Sequence, residues 1–300
     1  VKKKAQFNRF AKWIAASSIA FLAVAEVGAR IAGLIDFPLY EANAQIGYVL
    51  KPNQSGSFMN RNDWIFNEYS MGAGPFKPGA DKVDVLLVGD SIVYGGNPYK
   101  QAERLGPQLE KLSGNIRVWP ISAGSWALQN ELTWLEQHPE VVSKVDRIAF
   151  ILNSGDFEEP SSWKCETSHP THKPVSALLY LVQKNAWDWS NCTERDAPFP
   201  VASRDWRPRL KAFLAGDAAR GKPVSFHLYP DMKEYTNKTE YRKWASVAEA
   251  ELLEVGAVDI KYLFMNESLP EGYYKDGIHP SVIGVSYLAE SLLPFLFSNN

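Results

Sequence analysis

A nucleophilic hydroxyl needs a base within reach and a group that orients that base. This sequence supplies the three residue types in two distant blocks. The first is Val83-Asp-Val-Leu-Leu-Val-Gly-Asp-Ser91 and the second is Asp276-Gly-Ile-His279. Asp276 and His279 are three residues apart, so the carboxylate can fold back onto one imidazole nitrogen. The other nitrogen is then free to take a proton from a hydroxyl, and Ser91 is the candidate. On its own, Gly89-Asp90-Ser91 reads more simply as a turn running into a helix N-cap, because Asp and Ser both cap well. The late Asp–His pair is what turns that tripeptide toward chemistry.

Such groups work only if the elements around them bring them together. Val85 to Val88 form a short apolar run that stops at Gly89, the pattern of a strand buried on both faces at the centre of a parallel sheet. Gly89 permits a tight turn there. Ser91 then falls at the carboxyl edge of the sheet, where open α/β folds bind ligands. Leu105, Leu109 and Leu112 mark a helix over 101–112, followed by a strand over 116–121, a helix over 126–137 and a buried strand over 147–153. A helix over 209–219, a strand over 223–229, a helix over 241–253 and a last strand near 258–260 continue the alternation. That order predicts a parallel sheet covered on both sides. His227 lies inside a strand and reads as a core or edge histidine.

Together the two blocks resemble the SGNH/GDSL hydrolase family, with its early Gly-Asp-Ser and its late Asp-x-x-His before the last helix. The resemblance spans about residues 81 to 298. It implies a three-layer α/β/α, flavodoxin-like fold with a central parallel sheet, a nucleophile at Ser91 and the Asp276–His279 pair as acid and base. Ser122-Ala-Gly124-Ser-Trp, just after a strand, matches the family's second block. There Gly124 is expected to lend its backbone N–H to an oxyanion hole, beside that of Ser91. The third block departs from the pattern. The family has Gly-x-Asn-Asp, whereas this chain reads Asn153-Ser-Gly-Asp156. Aligning Asp156 puts Gly155 at the donor position, so Asn153 is the expected side-chain donor. An Asn closing the strand with an Asx turn is the competing reading.

The activity so implied is that of a serine esterase removing a small acyl group, acetyl in the first instance, from an extracytoplasmic glycan or a similar small ester. An O-acetyltransferase would use the same three residues, and a non-catalytic glycan-binding protein would keep only the fold. No cofactor and no metal are expected. Residues 158–204 form a long insertion of the kind that serves as a binding element or lid. Its Trp163, Trp187 and Trp189 offer flat faces for sugar rings, or simply pack the insertion down. Cys165, His169, His172 and Cys192 have the types of a zinc site. In an exported chain the two cysteines are expected to bridge instead.

The chain has 300 residues, 45% of them hydrophobic, and a net charge of −2. Lys2, Lys3, Lys4, Arg9 and Lys12 precede the first acidic residue, Glu26; everything after residue 25 carries 27 basic and 34 acidic side chains. A net acidic body gives no support to nucleic-acid binding. Positive residues ahead of the uncharged run from Trp13 to Ala25 predict an N-terminus left in the cytoplasm and an exported remainder. Ala23-Val-Ala25 fits a cleavage site, giving a secreted or periplasmic protein. Against cleavage, the apolar pattern continues to Ile35, with Glu26 and Arg30 four apart on one helix face. The anchor is the preferred reading. Residues 1–35 would then form a single-pass inner-membrane segment, 36–80 an extension, and 81–300 the domain on the periplasmic side.

Overall fold

The chain opens with one long helix, α1 (Lys2–Ile31), whose portion Phe10–Ile31 is long and apolar enough to cross a membrane. In this computed structural model residues 2–187, 189–190 and 192–297 are described; the side chains of Lys2, Lys3, Lys4 and Arg9, which carry the positive flank, lie outside the described residues. Two antiparallel hairpins follow, β1 (Tyr40–Asn43) with β2 (Gly47–Leu50) and β3 (Gln54–Phe58) with β4 (Asn62–Phe66). Next come β5 (Val83–Gly89), the single turn α2 (Ser91–Tyr94), α3 (Leu105–Ser113) and β6 (Ile116–Ser122). α4 (Leu128–Gln137), the short α5 (Pro139–Val142) and β7 (Arg147–Leu152) lead to the insertion, which contains α6 (Ala177–Asn185). The remainder is α7 (Trp206–Ala215), β8 (Val224–Leu228), α8 (Met232–Thr236), α9 (Lys238–Glu254), β9 (Asp259–Tyr262) and α10 (Val282–Phe297).

The order of the main sheet is β6-β5-β7-β8-β9, and every pairing in it is parallel. Alternation along β5 explains the layers. Leu86 and Val88 point into one core, shared with Leu132 of α4, Leu210 of α7 and Tyr241 of α9. Val85 and Leu87 point into the other, shared with Leu109 of α3 and Leu288 of α10. Buried on both faces, the strand is apolar from Val85 to Val88, and the buried Asp84 at its start is matched by Trp119 and Arg117. The three-layer α/β/α arrangement follows directly.

Several boundaries differ from the expected ones. The helix expected over 101–112 is broken into a 3-10 turn, Gln101–Glu103, and α3. The helix expected over 209–219 starts earlier, because Asp205 caps α7 by accepting the N–H of Arg207 at 3.0 Å. The extension before the sheet is also more than an edge decoration. Tyr48, Trp64, Phe66 and Met71 are buried in the same core as Leu86 and Val88.

Cys165 and Cys192 are joined in a disulfide with Cα atoms 5.5 Å apart, so neither sulfur is free to ligate a metal. His169 packs against the Tyr48 ring at 4.0 Å, and burial lowers its pKa to about 4. His227 is a core histidine. Its Nε2 pairs with Ser225 Oγ at 3.0 Å, and burial lowers its pKa to about 4.

Candidate active site

β5 ends at Gly89, where an added Cβ would come within 2.6 Å of the Val93 side chain, so the chain can turn this tightly only with glycine. Asp90 then caps the turn of α2, its Oδ1 accepting the N–H of Ile92 at 2.8 Å. This cap aims Ser91 out of the sheet edge. The second block arrives from the loop between β9 and α10, and three tyrosines hold it. The Tyr229 hydroxyl donates to the Ile278 carbonyl at 2.9 Å, and Tyr274 donates to Pro230 at 2.7 Å. Tyr99, from the loop after α2, donates to the carbonyl of Pro280, and Lys275 lies 4.4 Å over its ring. Segments nearly 190 residues apart in sequence are thereby locked edge to edge.

The consequence is a relay of three groups. Ser91 Oγ lies 2.8 Å from His279 Nε2, and both carboxylate oxygens of Asp276 lie 2.9 Å from His279 Nδ1. Partial burial pushes the Asp276 carboxyl up. The N–H groups of Ile278 and His279 and the imidazole outweigh that effect, and its pKa is lowered. An ionised Asp276 holds the proton of the imidazole on Nδ1, leaving Nε2 as an acceptor facing the hydroxyl.

Gly124 lines the same cleft, and a Cβ built on it would meet nothing within 4 Å. Its carbonyl is held by the Tyr48 hydroxyl at 2.5 Å, which turns the peptide on the β6 loop; among the described residues its N–H meets no protein acceptor.

Asn153 Oδ1 accepts the Gly155 N–H at 2.8 Å, closing the strand with an Asx turn. Its Nδ2 donates to Asp90 at 3.1 Å and to Asp156 at 3.0 Å. Both amide hydrogens are thus engaged by carboxyls beneath Ser91, while Asn153 remains part of the cleft lining.

Below the nucleophile lies a feature that residue patterning did not reveal. Asp90, Glu131 and Asp156 are all buried, and burial pushes each carboxyl pKa up, with mutual repulsion adding to the effect in Glu131 and Asp156. Neither oxygen of Glu131 has a hydrogen-bond partner among the described residues. Glu131 sits in the buried polar run Gln129-Asn130-Glu131 of α4, and no amphipathic helix buries three consecutive positions by period alone. Asn130 joins the hairpin to the insertion, donating to Ile46 at 2.5 Å and to Ser161 at 2.8 Å. Gln129 clasps both ends of the insertion, donating to Glu158 at 3.2 Å and accepting from the Arg204 N–H at 2.7 Å.

The resulting cleft, of about 770 Å³, is open, and the charged side chains of Glu158, Lys164, Glu194 and Lys275 are among those that line it. Lys164 and Glu194 pair at 3.0 Å. Trp163, Trp187 and Trp189 do not line it, so the expected stacking platform is not at this site. Trp163 instead donates to the His169 carbonyl at 2.8 Å, within the insertion.

No protein-family profile matches the sequence, and no curated protein matches it. Solved structures do resemble it. A member of the lipolytic protein G-D-S-L family from Veillonella parvula aligns with 71% of this chain and 97% of its own, at 12% identity and a TM-score of 0.40. A GDSL-like lipase from Bacteroides thetaiotaomicron aligns over 74% and 90%, at 12% identity and 0.38. TesA aligns over 71% and 98%, at 14% identity and 0.41. Similarity this distant leaves the activity to be argued from the site.

Proposed function

We propose that this protein is a serine hydrolase of carboxylic esters. The observation that carries the reading is the continuous contact from Ser91 Oγ through His279 to Asp276, open to a cleft. As Ser91 attacks the ester carbonyl, His279 Nε2 takes the hydroxyl proton and Asp276 balances the imidazolium. The carbonyl oxygen becomes an oxyanion, for which the N–H groups of Ser91 and Gly124 are the donors. Collapse of the tetrahedral adduct breaks the ester C–O bond, and His279 returns the proton to the departing alcohol. Water, deprotonated by the same nitrogen, then attacks the acyl-enzyme and releases the acid and free Ser91.

A small acyl group on a hydroxyl-rich alcohol, such as an acetylated glycan, is the proposed substrate. It is supported by the charged, open rim at Glu158, Lys164, Glu194 and Lys275, which suits a hydrated alcohol better than a long acyl chain. We place the domain on the extracytoplasmic side of the membrane, tethered by α1. The lysine-rich flank and the disulfide both favour that compartment.

The test is incubation of the purified protein with an acetylated glycan, with and without an unacetylated acceptor, read by mass spectrometry. Free acetate is the expected product. Acetylated acceptor would make the protein a transferase through the same acyl-enzyme. Neither product, together with a Ser91 that resists fluorophosphonate at pH 8, would leave only a binding role.

A further inference from the structure

α6 is apolar on both of its sides. Ala177 and Tyr180 face inward, packed with Ala29, Ile35 and Phe37. On the opposite side Leu179 and Val182 are exposed to solvent, as are the flanking Val175 and Ala186 and, beyond the helix, Trp187 and Trp189. A helix buried on one side and apolar on the other lacks a partner for the second side.

The start of α6 is fastened to α1 at one level. Glu26 accepts the N–H of Ala177 at 2.8 Å, the N–H of Leu178 at 3.0 Å and the Ser176 hydroxyl at 3.0 Å. Arg30 donates to the Val175 carbonyl at 2.6 Å and pairs with Glu26 at 2.7 Å. The two charges in the second half of α1 are therefore neutralised by each other and by the insertion. The uncharged run from Trp13 to Ala25 spans only about 20 Å of helix, at ~1.5 Å per residue, against ~30 Å of hydrocarbon. A bilayer that α1 crosses must then reach past Glu26, and α6 is attached at that depth.

Resting on the reading of α1 as a membrane span, we infer that α6, with Trp187 and Trp189, forms a second membrane contact. It lies in the headgroup–acyl boundary beside the point where α1 leaves the bilayer. The partner is lipid. The apolar stripe enters the acyl edge, and the two indoles take the interfacial position that Trp favours. α6 packs directly on α1 at the level of Glu26 and Arg30, which sets its exposed stripe beside the bilayer that α1 enters, and this is why lipid rather than another protein is assigned to it.

The experiment uses the full chain reconstituted in phospholipid bilayers, spin-labelled singly through Leu179→Cys, Val182→Cys, Ile19→Cys or Val258→Cys. The native cysteines are bridged and take no label. Power saturation compares accessibility to oxygen, which partitions into lipid, with accessibility to a water-soluble nickel chelate. Labels at 179 and 182 are expected to favour oxygen, approaching position 19 and well above position 258. Labels at 179 and 182 that match 258, with 19 still in lipid, overturn this inference and leave the span intact. A label at 19 that meets water overturns the span and the inference together. Exclusion of both reagents at 179, or dipolar broadening between labels, means a protein covers the stripe and also overturns it.

Discussion

On the cleft side of Ser91, Asp276 is half exposed and its oxygens are taken up by two backbone N–H groups and an imidazole. On the core side, Asp90, Glu131 and Asp156 are buried; Asn153 supplies donors to two of them, and among the described residues nothing donates to Glu131. The residue chemistry is the same and the outcome opposite. Donors lower the carboxyl pKa of Asp276 and make it an orienting anion. Burial raises the other three, which favours their neutral, protonated forms. Asp90 and Asp156 have donors of their own, so what sets them apart from Asp276 is the depth of their burial.

Removing a member of the cleft-side relay should have the largest effect. His279→Ala is expected to lower kcat by about a million-fold, as loss of a triad base does, and to abolish fluorophosphonate labelling of Ser91. Nearby Ser122, Ser125 and Ser154, none of them touching His279, should stay unlabelled throughout. Equal labelling of Ser91 without His279 would dissolve the relay and the proposed activity with it. Asp276→Asn should cost roughly ten-thousand-fold, by disturbing the imidazole tautomer with the fold intact. A wild-type rate in a folded Asp276→Asn protein would mean the anion does not orient His279.

Asn153→Ala asks which side that amide serves. Its expected effect is a loss of about 1–3 kcal/mol of stability, as two buried carboxyls lose a donor. A fall of two to three orders in kcat at unchanged Tm would instead return Asn153 to the oxyanion hole.

Glu131→Gln should be stabilising at neutral pH, by on the order of 1–3 kcal/mol. The sign follows from linkage. Glu131 in the unfolded chain gives up its proton near pH 4.3, while the folded chain keeps it to higher pH, so stability falls as pH rises above that point. Denaturant melts from pH 5 to 8 should show that decline in the wild type and a flatter profile in the variant. An identical slope would mean the side chain has found a donor.

How much of this was legible differs by element. The strand at 85–88 could be placed from its composition because four consecutive apolar residues fit burial on both faces. Ser91, Asp276 and His279 were accessible through local spacing, the His fold-back needing only three residues. The carboxyl cluster was not, since Asp90, Glu131 and Asp156 come from three elements and meet only when the layers close. The contacts of the Asn153 amide with Asp90 and Asp156 were hidden for the same reason. The tryptophans of the insertion could be counted but not placed, because a rim position depends on how Gln129 ties the insertion down.

That tie, combined with the disulfide, has a consequence for how the molecule tolerates change. Pro160, Ser161 and Lys164 lie before Cys165 and Glu194 lies after Cys192, so every insertion residue on the cleft wall is outside the covalent ring. The 27-residue separation between the cysteines is therefore a cassette. Its reach to the site is indirect, through His169, which packs on the Tyr48 ring whose hydroxyl holds the Gly124 carbonyl.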